Sequence, residues 1–80
     1  SRDGDAIGEF ARRYAALIYS VSLRITNDER QSEALTLQLL KDIAAAPQKV
    51  RGEPAVWIHE QSTRRAIAAT VAGEKAARSD

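Results

Sequence analysis

The strongest constraint on this chain is a helical period that recurs along most of its length. Ile7, Phe10, Tyr14, Leu17, Ile18, Val21 and Ile25 follow one another at three- and four-residue steps. That spacing lines one face of a helix and does not fit the alternation of a strand. It predicts a first helix over residues 6–25, with Asp3 or Asp5 capping its start. A bend near Ala15 would divide it in two.

The next break is Thr26-Asn27-Asp28-Glu29. Thr26 followed three residues later by Glu29 matches a capping box. The second helix is then expected over residues 28–45, with Leu35, Leu39 and Ile43 inward beside Ser32 and Thr36. Pro47 stops it. Residues 47–53 read as a loop. Pro54 suits the first turn of a third helix, which is expected to run over residues 54–72 and end at Gly73. The fold class is therefore all-α, a compact bundle of three to four helices in one domain spanning residues 1–80. Residues 1–5 and 73–80 are expected to fray. The richness in Ala, with 15 copies, agrees with this class. The chain starts on Ser, so an excised or processed domain is expected.

Several chemistries lack their residues. There is no Cys, so disulfides and thiolate metal sites are excluded. The single His, His59, cannot build a multi-His metal site within one chain. No apolar run approaches the roughly 20 residues of a membrane span. No phosphate-cradling Gly loop, nucleophile elbow or paired carboxylates occur, and so small a helical domain can hardly enclose a substrate. No catalytic residue, metal or cofactor is expected. The 12 basic and 11 acidic residues leave a net charge of +1, which argues against bulk electrostatic binding but not against local patches.

Two surfaces stand out. On the second helix, Ala34, Leu37, Gln38 and Lys41 share the side opposite Leu39. With Glu33 they make a candidate stripe for a protein partner, although one exposed Leu needs no explanation by itself. On the third helix, Trp57, Gln61, Arg64 and Ala68 fall on one flank. Lys49, Arg51, Arg64 and Arg65 give a mild basic bias there against Glu53 and Glu60. An Arg beside a Trp suits single-stranded nucleic acid, through stacking plus phosphate contact. The simpler alternative is that Trp57 fills the core and Arg64 pairs with Glu60 at i+4 spacing. His59 and Arg12-Arg13 read as solvated surface.

A resemblance adds to this. Phe10-x-x-x-Tyr14, Tyr19-Ser-Val-Ser-Leu-Arg-Ile-Thr26, Ser32-Glu33-Ala34-Leu35-Thr36, Arg51-Gly52, Trp57-Ile58 and Arg64-Arg65-Ala66-Ile67 occur in that order. Together they resemble region two of bacterial RNA polymerase sigma factors, of the extracytoplasmic-function group, over residues 6–69. The resemblance implies a cytoplasmic helical domain that docks on the coiled coil of the polymerase β′ subunit and captures unpaired bases of the minus-ten promoter element. By the resemblance, the promoter DNA site is Gln48, Lys49, Val50, Arg51 and Gly52 of the loop with Trp57, Gln61, Arg64 and Arg65 of the last helix. The polymerase-facing stripe is Glu33, Ala34, Leu37, Gln38 and Lys41.

The sequence departs from the family pattern at telling places. The family usually reads Ala-Glu-Asp-Leu-Thr-Gln where this chain has Ser32-Glu33-Ala34-Leu35-Thr36-Leu37, so an acid has become Ala34 and an amide Leu37. In the last helix Gln61 stands at an apolar position, Ala68 at an acidic one, and Ala69 and Val71 at basic ones. These changes leave a second expectation open: a sigma-like domain that only binds a protein, such as an anti-sigma factor.

Overall fold

The computed structural model describes the backbone of residues 2–78 and the side chains of residues 8–78. The fold is an all-α bundle of three helices: α1 (Arg2–Thr26), α2 (Glu29–Ala45) and α3 (Pro54–Arg78), with a short 3-10 turn at Pro47–Lys49. Among the described residues there is no strand. α1 continues through Ala15 without a break, so the first segment is one helix and not two. Asp3 and Asp5 stand inside α1 rather than ahead of it, and their side chains lie outside the described residues.

The α1–α2 corner takes two residues. Asn27 adopts the left-handed conformation (φ 55°), which Asn tolerates better than most residues. Its N–H closes the last turn on the Leu23 carbonyl at 2.8 Å, the αL way of ending a helix. The cap then falls on Asp28, whose Oδ1 accepts from the Gln31 N–H at 3.0 Å. This corrects the expected Thr26–Glu29 box. Glu29 is the first residue of α2 and sits too early to reach back, and a carboxylate is the stronger acceptor at a helix N-terminus. Thr26 Oγ1 instead donates to the Ser22 carbonyl at 2.8 Å. Ser32 Oγ lies 3.1 Å from it and donates to the Asp28 carbonyl at 2.7 Å.

α2 ends where Pro47 forces it to. Ala46, the residue before the proline, leaves helical geometry (φ −145°, ψ 68°) as the ring of a following Pro requires. The 3-10 turn is closed by Lys49 N–H to the Ala46 carbonyl and Val50 N–H to the Pro47 carbonyl, both 3.1 Å. Val50 is half-buried and pins the loop to the core. Gly52 turns the chain with φ 69°, a conformation costly for any residue with a Cβ. The Glu53 carbonyl then accepts the Trp57 N–H at 3.0 Å, with Pro54 in the first turn of α3.

α3 does not stop at Gly73 but runs on to Arg78. No positive φ marks Gly73. Ala76 and Ala77 favour helix, and Lys75 and Arg78 in the last turn suit its negative end. Residues 71–78 are exposed throughout.

Ile18, Leu39, Ile43 and Ile58 form the core; Ile18, Leu39 and Ile43 stand on the periods read from the sequence. Cutting one back to Ala costs about 2–5 kcal/mol, a large share of the stability of so small a domain. Phe10, Tyr14, Leu17, Leu40 and Trp57 pack around this cluster. Leu35 is only half-buried, while Ser32 and Thr36 are buried as expected. α1 packs along both other helices, whereas α2 and α3 meet sparsely. A gap therefore opens between α2 and α3.

Candidate functional site

That gap is an open cleft of about 510 Å³. Its walls are Asp42, Ile43 and Ala45 from α2, Ala46 just after it, Lys49 from the 3-10 turn, and Trp57, Gln61 and Arg65 from α3. Four sequence-predicted DNA residues thus meet here: Lys49, Trp57, Gln61 and Arg65. Gln48, Arg51 and Arg64 are exposed but do not line it. Arg64 forms no salt bridge with Glu60 among the described residues. Trp57 has two surroundings. It is half-buried against the core, and it lines the cleft.

Asp42 is the residue that the sequence reading missed. Its Oδ2 accepts from Arg65 Nη1 at 2.7 Å, and its Oδ1 accepts from Gln38 Nε2 at 3.0 Å. Both carboxylate oxygens are engaged, and the pair ties α2 to α3 across the cleft. The Arg65 hydrogen bond, then that of Gln38, holds the Asp42 carboxyl below its ordinary range, and the charges of Arg65 and Lys49 push the same way. Gln38 and Asp42 are neighbours at i+4 on one helix, a spacing visible in sequence. The contact with Arg65, 23 residues away, is not. As a result the cleft holds an opposing charge, and Arg65 is engaged inside the protein.

Glu33, Ala34, Leu37, Gln38 and Lys41 are all exposed, so the stripe faces outward as read. Leu37 is 60% exposed. Glu33 and Leu37 border a shallow hollow of about 420 Å³ with Thr36 and with Ala15, Ala16 and Tyr19 of α1. The hollow is largely apolar, with Glu33 at its edge. Gln38 leaves this stripe to reach Asp42, which links the two surfaces through one helix.

His59 is exposed. Among the described residues no group of three or more His, Cys, Asp or Glu is placed to hold a metal ion. Among the same residues no helix is long and apolar enough to cross a membrane. Comparison with known protein families, with curated proteins and with solved structures found no match.

Proposed function

We propose that this chain is a sigma-factor-type domain that contacts unpaired promoter DNA through the α2–α3 cleft and docks on RNA polymerase core through the outer stripe of α2. The observation that carries the reading is the meeting of Trp57, Lys49 and Gln61 around one open cleft. An indole face gives a base a surface to stack on, a lysine meets a phosphate, and an amide can read a base edge. Arg51 and Arg64 extend the positive surface beyond the rim. The work is capture of bases already out of the stack, and no bond is made or broken. On this reading the protein acts in the cytoplasm with the polymerase β′ subunit and promoter DNA as partners.

Fluorescence anisotropy of a labelled minus-ten strand tests the reading. Single strands should bind more tightly than the duplex, and added salt should weaken binding. Equal affinity for both forms, or none for either at low salt, would overturn it.

A second reading is favoured by Leu37 and by Asp42. Leu37 presents an apolar side chain where the resemblance expects an amide, and Asp42 neutralises one of the cleft's cations. Both suit a domain that binds a helical protein partner, such as an anti-sigma factor, without initiating transcription. Capture of core polymerase in the presence and absence of that factor separates the two.

A further inference from the structure

The outer face of α3 carries a pattern that shares only Arg64 with the proposed DNA surface. Ile67 and Val71 are 50% and 46% exposed. Glu60, Arg64, Glu74 and Arg78 are exposed on the same helix, and among the described residues none of these four forms a salt bridge. At about 100° per residue all six fall within roughly 80° of arc. The order along this face is acid, base, apolar, apolar, acid, base.

That order is complementary to its own reverse. We propose that two copies of the chain pair antiparallel through α3, about a two-fold axis beside Ala69. Ile67 then meets Val71 of the second copy, Arg64 meets its Glu74, and Glu60 meets its Arg78. The axis repeats every contact, giving two apolar layers flanked by four ion pairs, an isologous interface. Continuation of α3 through Gly73 to Arg78 supplies half of these charges. The interface is small, so the dimer is weak, with a dissociation constant on the order of 100 μM. Pairing covers Arg64 and so competes with strand binding there. The dimer itself does not depend on the DNA reading, because a chain that binds no DNA still pairs in this register.

Sedimentation equilibrium of the full chain, from low micromolar to millimolar, tests the proposal. The wild-type mass should rise from 8.8 kDa towards twice that value. Arg64→Glu faces Glu74 with a second acid, and Glu74→Arg faces Arg64 with a second base. Each variant alone should weaken pairing about tenfold or more, since the axis doubles every exchange. Mixing the two variants restores opposite charges at these positions, so the mixture should pair at least as tightly as wild type. All these positions are exposed, and helical circular dichroism should be unchanged. A wild type that stays monomeric to millimolar concentration would overturn the proposal. So would a mixture that pairs no better than its separate components.

Discussion

Arg65 Nη1 lies 2.7 Å from Asp42 Oδ2 and joins α3 to α2 where those two helices otherwise meet sparsely. The contact keeps the cleft walls in register. It also uses one of the four cations that the sequence offers to a nucleic-acid strand. On the proposed DNA reading Lys49, Arg51 and Arg64 remain, and at roughly 0.7 per phosphate contact the expected log–log salt slope is about −2 for single strands.

Asp42→Asn removes the opposing charge and returns Arg65 to the cleft. Binding to a single strand should tighten, and the salt slope should steepen to about −3, one more contact at the same increment. Titrations at several salt concentrations measure both. An unchanged slope would show that Arg65 was never held back by Asp42.

The same pair sets a pH dependence. The Asp42 carboxyl is held below its ordinary range by Arg65 and then Gln38, so folding favours its ionised form. Its contribution to stability is complete above the unfolded value of about 3.9 and is lost as pH falls through the lower folded one. Melting temperatures from pH 6 down to pH 2.5 should converge for wild type and Asp42→Asn at the acid end. A gap that stays constant to pH 2.5 would contradict this.

Ser62 is buried, and among the described residues its hydroxyl has no hydrogen-bond partner. Ala fits the same space without that unpaired group and favours helix. Ser62→Ala should raise unfolding free energy by about 1 kcal/mol in a denaturant titration. A loss of similar size would mean that the hydroxyl is satisfied in solution.

Gly73 sits inside α3, and among the described residues nothing beyond its chain neighbours and the surrounding helix backbone lies within 4 Å of where a Cβ would stand. Gly in a helix interior costs about 1 kcal/mol relative to Ala. Gly73→Ala should therefore increase helicity and strengthen α3, as circular dichroism and amide exchange of residues 70–78 would report. The variant also tests the reading that α3 passes through this residue rather than ending there.

Much of this was legible in the sequence, for identifiable reasons. Ile18, Leu39 and Ile43 stand on helical periods, and burial follows period. The outward face of Leu37 follows from the inward face of Leu39. The cap lies two residues beyond Thr26, on Asp28, because Asn27 adopts the left-handed conformation. Gly73 looks like a stop in sequence because glycine often ends helices, yet its backbone has no positive φ. Asp42 went unseen because its importance lies in a contact between helices, and single-sequence spacing carries no information about that distance.

The stripe on α2 carries the polymerase half of the proposal. A hydrogen bond to a charged group is worth about 1.5–3 kcal/mol and a neutral one about 1. On the proposed reading, introducing the acid and the amide that the resemblance implies, with Ala34→Asp and Leu37→Gln, should therefore strengthen core-polymerase binding by about 2–4 kcal/mol, roughly 30- to 1,000-fold. Both positions are exposed, so stability should change by less than about 0.5 kcal/mol. If the stripe instead anchors another helical protein, the same change weakens that complex and leaves polymerase binding unimproved.

Trp57 is the only tryptophan in the chain and lines the cleft, so its own fluorescence reports on the central claim. Titration with a single-stranded minus-ten oligonucleotide at low salt should quench its emission as a base stacks on the indole. Lys49→Ala should shift the midpoint to higher strand concentration while leaving the final quench intact. Emission that stays unchanged while the strand binds would place the contact elsewhere and contradict the account.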